Sequence, residues 1–206
     1  MIVIGLCGGT GSGKSTVSYI FHTYGVEILD ADVIYHEITS YMSDCLMALR
    51  EAFGDSIIKE NRLDRSSLAA LVFQGERREQ NRKLLNSITH KYVKEEIERR
   101  IRDHQSCGVE KVLLDVPLLF ESDIDKICDI LVCVTAPLEV RIERLMARDG
   151  ITREHALARI NAQLDDAFLI THTHFHIVND NSLMNAEEQV EIIMKNIDKR
   201  QVLTNG

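Results

Sequence analysis

Gly8-Gly9-Thr10-Gly11-Ser12-Gly13-Lys14-Ser15-Thr16 is the stretch that decides how this chain is read. Ahead of it runs Ile2-Val3-Ile4-Gly5-Leu6-Cys7, a short apolar run rich in β-branched residues, and behind it an amphipathic pattern. The spacing Gly-x-x-x-x-Gly-Lys-Ser between a strand and a helix is the Walker A pattern of a phosphate loop. Each residue type has a physical reason to be there. Glycines let successive backbone N–H groups curl around a phosphate without Cβ clashes. The following helix adds the positive end of its dipole. Lys14 reaches the β- and γ-phosphates, and the Ser15 hydroxyl is placed to ligate Mg²⁺. All of Gly8 to Thr16 is therefore expected to hold the phosphates of a nucleoside triphosphate.

Outward from this loop, further apolar runs read as buried parallel strands: Val26–Leu29, Lys111–Val116, Ile130–Thr135 and Phe175–Val178, with Ile2–Cys7 as the first. Helical patterns lie between them. Strand alternating with helix predicts an α/β fold, a five-stranded parallel sheet flanked by helices. About eighty residues separate the second strand from the third, far more than a crossover needs. Leu46, Leu49 and Phe53, then Leu68, Leu71 and Val72, then Ile88, Val93, Ile97 and Ile101 recur at helical spacing there. That predicts a helical insertion over about 33–110 that carries the second substrate. A shorter Arg-rich excursion over about 138–166 predicts a lid. The remaining segments, about 1–32, 111–137 and 167–206, form the core of one domain. Within the last, Val190, Ile193, Met194 and Ile197 mark an amphipathic helix that packs on the sheet.

The second strand ends in Asp30-Ala31-Asp32. Side chains at the carboxyl ends of parallel strands face the ligand crevice, so a carboxylate there could take a proton from an attacking hydroxyl. Asp32 could equally N-cap a helix starting near Val33. If the strand persisted, Asp30 and Asp32 would lie on different sides of it. Asp115 closes the third strand as a Walker B carboxylate does, and would hold Mg²⁺. Arg141, Arg144 and Arg148 share one helical face. Glu139 and Glu143 could pair with Arg141 and Arg144 on a solvated surface, but Arg144 and Arg148 are expected over the triphosphate, neutralising the transferring group. No Asn-Lys-x-Asp motif is present, which disfavours a guanine-nucleotide switch.

Composition bounds the partners. The formal net charge of −8 disfavours nucleic acid as a partner. No apolar run approaches the roughly 18–20 residues of a membrane span. Cys7, Cys45, Cys107, Cys128 and Cys133 are odd in number, scattered and without a Cys-x-x-Cys pair, so a reducing cytoplasm is expected. His172, His174 and His176 recur at period two and could present metal ligands on one strand face, though no Cys or carboxylate is tied to them by the sequence.

Across nearly its whole length the chain resembles the dephospho-coenzyme A kinases. The likeness is carried by Gly5 to Ser15, Asp30-Ala31-Asp32, Phe53-Gly54, Leu63-Asp64-Arg65, Leu71-Val72-Phe73 and Ile88-Thr89-His90. It continues through Asp115-Val116-Pro117-Leu118-Leu119-Phe120-Glu121, the most specific element, then Arg144-Leu145-Met146-Ala147-Arg148-Asp149, and Arg159-Ile160 with Gln163. The resemblance implies a P-loop kinase that moves the γ-phosphate of ATP, with Mg²⁺, to the ribose 3′-hydroxyl of dephospho-coenzyme A. It implies Asp32 as base, Lys14, Arg144 and Arg148 as charge stabilisers, and His90 with Pro117, Leu118, Leu119 and Glu121 against the acceptor. His90 read without the resemblance is as well a helix-surface histidine. The chain departs from the family at Lys91 (usually Pro), His36 (usually Arg), Leu169 (usually basic) and His174 (usually acidic). These departures keep two alternatives open, a P-loop kinase of another small metabolite or nucleotide and a non-catalytic nucleotide-binding regulator.

Overall fold

A computed structural model describes residues 1–74, 76–180 and 182–204. In chain order the elements are β1 (Ile2–Cys7), α1 (Lys14–Thr23), β2 (Glu27–Asp30), α2 (Ala31–Ile38) and α3 (Asp44–Phe53). A two-stranded hairpin follows, β3 (Ile58–Lys59) and β4 (Arg62–Leu63), then α4 (Arg65–Phe73) and the long α5 (Arg78–Ser106). The chain continues through β5 (Lys111–Asp115), β6 (Ile130–Thr135), α6 (Leu138–Asp149), α7 (Arg153–Asn161), α8 (Asp166–Thr171), β7 (Phe175–Val178) and α9 (Leu183–Thr204).

Two compact units emerge, residues 1–29 with 108–206, and residues 30–107. The first carries a parallel sheet of order β2-β5-β1-β6-β7 among the described residues, with β1 at its centre. Leu6 is the register partner of Asp115 on one side of β1, and Cys7 that of Cys133 on the other. One core gathers Ile4 and Leu6 of β1, Val17, Ile20 and Phe21 of α1, and Val190, Ile193, Met194 and Ile197 of α9. The α9 stripe expected to pack on the sheet does so. Each such side chain contributes about 1.5–3 kcal/mol of burial free energy, so α1 and α9 are held by packing and not by propensity. A satellite core of Ile142, Leu145, Ala156 and Ile160 joins α6 to α7.

The second unit is built around α5, whose buried Thr89, Val93 and Ile97 face α2, α3 and α4. Leu46 and Leu49 of α3 and Leu68 and Val72 of α4 are buried as their spacing predicts, while Leu71 is exposed. The stretch is not wholly helical, because Glu60 and Asn61, both with positive φ, turn the hairpin between β3 and β4. The second strand lies one residue later than expected and stops at Asp30, so Asp32 sits in a helix and strand alternation does not apply to it. The third strand likewise closes at Asp115, one residue early.

Candidate active site

The phosphate loop leaves the carboxyl end of the central strand and enters α1 through Gly13, which holds φ 81° and ψ 30°. A Cβ in that left-handed conformation would be strained and would run into the Asn179 side-chain amide, so glycine is the residue that fits. No side chain caps α1. Within its first turn the Thr16 N–H donates to the Gly13 carbonyl at 3.0 Å, and a helix start without a side-chain acceptor suits an anion. Lys14 opens the helix and its ammonium pairs with the Asp115 carboxylate, which is 5% exposed. Because Asp115 neighbours Leu6 in the sheet, β5 delivers this carboxylate to the loop's root. Ser15 and Thr16 follow on the exposed side of α1.

Side chains brace the loop from outside. Arg144 of α6 donates to the Gly11 carbonyl (3.1 Å) and to Asn179 (3.2 Å to Oδ1). Asn179, just past β7, donates from Nδ2 to the Ser12 carbonyl at 2.9 Å. Arg141 donates to the Thr10 carbonyl at 2.9 Å and pairs with Asp166 at 3.1 Å. The arginines expected on one helical face therefore differ in environment. Arg141 is buried, and burial pulls the Arg144 guanidinium below its ordinary value. Arg148 is exposed and held above its ordinary value by its hydrogen bond to Asp149. The surface pairing considered for Arg141 is corrected: its carboxylate is Asp166, and Glu139 binds Arg153 at 2.7 Å.

Beside the loop lies a shallow cleft lined by Cys7, Gly8, Gly9, Pro117, Leu119, Glu121 and Gln163, among others. It brings the Pro117–Glu121 segment to the start of the phosphate loop. Leu119 is buried while Leu118 is 36% exposed. Phe120 stacks edge-on against Phe168 at 5.5 Å, anchoring the segment to α8. Burial pushes the Cys7 thiol up to about 12, so it is a small apolar group in the cleft floor and no nucleophile.

In the second unit, α2 is capped by Asp30, whose Oδ1 accepts from the N–H groups of Asp32 (2.8 Å) and Val33 (3.0 Å). The capping role weighed for Asp32 belongs to Asp30, and the Asp32 side chain is exposed. His90 is half-buried on α5. Lys91 lies over the Tyr92 ring at 5.0 Å, and His36 meets the Ser40 hydroxyl at 3.1 Å. The three histidines do not share a strand face. His172 follows α8 and stacks on Phe168, His174 accepts from the Leu131 N–H at 2.9 Å, and only His176 lies within β7. Among the described residues no three His, Cys, Asp or Glu side chains gather to hold a metal.

Sequence reasoning passed over Asn179 and Asp166, and knew Gln163 only through resemblance. Asn179 carried a usable signal, a polar residue at the carboxyl end of the last strand. Asp166 carried none, since its partner Arg141 lies far away in sequence.

The family model described as dephospho-CoA kinase matches residues 2–185. The chain belongs to the dephospho-CoA kinase family. A dephospho-CoA kinase of Bacillus cereus is 36% identical over 196 residues, covering 95% of this chain and 96% of the relative. The fold recurs in two solved structures. A Thermus thermophilus protein superposes with a TM-score of 0.74 at 31% identity, over 95% of this chain and 97% of its own. A dephospho-CoA kinase from Campylobacter jejuni does so with a TM-score of 0.71 at 24% identity, over 97% and 98%. All five cysteines are free, and among the described residues no helix is long and apolar enough to cross a membrane.

Proposed function

We propose that this chain transfers the γ-phosphate of ATP to the ribose 3′-hydroxyl of dephospho-coenzyme A, giving coenzyme A. The observation that carries the reading is the family match across residues 2–185, which takes in the phosphate loop, Asp115 and the Arg-rich segment.

The residues divide the work. Gly8 to Thr16 hold the triphosphate through backbone N–H groups and the α1 dipole. Lys14 exchanges its Asp115 partner for the β- and γ-phosphates. Arg144 and Arg148, on α6, neutralise charge on the phosphoryl group in flight. Asp32 takes the proton from the acceptor hydroxyl, a role its exposed carboxylate is left to serve because Asp30 does the capping. The insertion, with His90, and the Pro117, Leu118, Leu119 and Glu121 segment bind the acceptor, and the α6–α7 excursion is the lid. The Ser15 hydroxyl and Asp115 carboxylate are oxygen donors of the kind Mg²⁺ prefers, with phosphates and water completing its shell. Mg²⁺ held there would neutralise charge on the triphosphate. The substrates are small molecules, and the cytoplasm is the compartment that five unpaired thiols suit.

The test is ATP consumption by the purified protein with Mg²⁺ and a panel of acceptors. Turnover with dephospho-coenzyme A, giving a 3′-phosphorylated product, is expected. Turnover confined to another hydroxylated acceptor, or slow hydrolysis indifferent to acceptor, would sink the reading.

A further inference from the structure

Thr10 lies within the phosphate loop, and both of its backbone groups are taken by side chains from the Arg-rich segment. Its N–H donates to Gln163 Oε1 at 2.6 Å, and its C=O accepts from Arg141 Nε at 2.9 Å. Because the partner is an N–H, the carbonyl end of the Gln163 amide must face it. Arg141 stands at the beginning of the segment, on α6, and Gln163 at its end, between α7 and α8. The two ends thus meet on one residue of the loop.

Arg141 is itself held in place. It is 5% exposed, and Asp166, the first residue of α8, supplies its counter-charge. Its guanidinium fills the space beside Gly9, where a Cβ would collide with it. Its carbonyl oxygen lies 2.8 Å from where a Gly11 Cβ would stand. The loop therefore rests against Arg141 along Gly9 to Gly11. Ser12 adds an internal bond, its N–H donating to the Gly9 carbonyl at 3.0 Å.

We propose that Gln163, backed by the Arg141–Asp166 pair, is a positioning residue for phosphate binding that acts through Thr10. The proposal rests on the reading of Gly8–Ser15 as the phosphate site. The peptide plane from Gly9 to Thr10, its carbonyl accepting from the Ser12 N–H and its N–H donating to Gln163, cannot rotate without losing two hydrogen bonds, and Arg141 holds the next plane by the Thr10 carbonyl, so the loop's donors stay aimed before a nucleotide arrives. Preorganised donors bind an anion without the ordering cost that a loose loop would meet. Gln163 does this without touching the nucleotide.

Gln163→Met keeps the side-chain length and removes the acceptor. Gln163 is half-buried on a connector, so the variant is expected to fold, with its melting temperature as the check. In the full-length protein, ADP affinity by calorimetry should weaken about tenfold, the scale of one unsatisfied backbone N–H. The KM for ATP should rise in proportion while the KM for dephospho-coenzyme A stays put. Asp166→Asn, which leaves Arg141 without its counter-charge, should shift ADP affinity the same way by about threefold. A purely structural role would instead lower melting and move both KM values together, and that result overturns the proposal. So does unchanged ADP affinity in Gln163→Met. Lys14→Ala, measured alongside, separates the two readings. If it too leaves ADP affinity intact, the phosphate site itself is misassigned; if it alone weakens binding, only the positioning role falls.

Discussion

The helices α1 and α2 begin in opposite ways. Entry to α2 is through Asp30, whose carboxylate satisfies two first-turn N–H groups. Asp64 does the same for α4, and Ser43, Thr152 and Asp165 each accept from one first-turn N–H of α3, α7 and α8. Entry to α1 is through a left-handed glycine, no side chain reaches back to its first turn, and its first residue is Lys14. The helices α5 and α6 also lack a side-chain cap, but they start from Arg77 and Pro137 and carry no lysine at the first position. At α2, α3, α4, α7 and α8 a side-chain acceptor caps the helix start, whereas α1 lacks one, follows a left-handed glycine and opens with Lys14. The same contrast sorts the two acidic residues at α2. The Asp30 carboxylate is spent on the cap, and the Asp32 carboxylate two residues later is exposed, which is why the proposed base role falls to it.

The largest expected effect tests that division. Asp32→Asn should lower turnover by about 10²–10⁴-fold, the scale of a lost general base. ADP affinity and melting temperature should hold, because Asp30 carries the cap. A matching loss of stability would break the comparison, by showing that Asp32 supports the helix after all.

The comparison also explains what could be read beforehand. The strands were legible because each is an apolar run closed by a polar or turn residue, and Gly8–Ser15 because its spacing is dictated by phosphate geometry. Asp30 and Asp32 could not be separated, since both are good N-caps and the choice turns on where β2 stops, a matter of one residue. The hairpin at Ile58–Leu63 was missed because its strands are two residues each and its turn is Glu60-Asn61, without the glycine that usually marks a tight turn. Among Arg141, Arg144 and Arg148, periodicity told that they share a face but not how deep each one sits. Depth is decided by what packs there, namely Gly9, Gly11 and Asp166 for Arg141 and water for Arg148.

Giving α1 a cap of its own is the next test. Gly13→Asp would place a carboxylate at the position Asp30 holds in α2, in competition with phosphate for the same donors. Gly13→Ala carries the same backbone strain and the same collision with Asn179 without the carboxylate. Both variants should weaken ADP binding, and Asp should do so about tenfold more than Ala, about what a charge-assisted hydrogen bond in competition is worth. Equal losses would mean that the first-turn donors of α1 are not what holds the phosphates. The reciprocal change, Asp30→Ala, removes a cap where one belongs. It should cost about 1 kcal/mol of stability, a fall in melting temperature of about 2–4 °C, and leave ADP affinity unaltered.

The smallest effect is one of pH, and it follows from α4. Asp64 accepts from the backbone N–H groups of Ser66 (3.1 Å) and Ser67 (3.3 Å), and from the hydroxyls of Ser66 (2.6 Å) and Ser67 (2.9 Å). These bonds, the Ser66 hydroxyl first, hold its carboxyl at about 2, below the ordinary 3.8. A folded value below the unfolded one means the ionised cap stabilises fully above about pH 3.8 and loses that contribution as pH falls through about 2. Asp64→Asn keeps an acceptor and removes the titration. The stability difference between wild type and variant, followed by urea unfolding, should be constant from neutral pH to about 4 and narrow toward pH 2. Because Asp64 is open to solvent, added salt should shrink the difference as well. A difference that stayed flat down to pH 2 would show that the charge adds nothing to the cap. The contrast with α1 would then rest on geometry alone, on which helix has an acceptor within reach and which leaves that place to a phosphate.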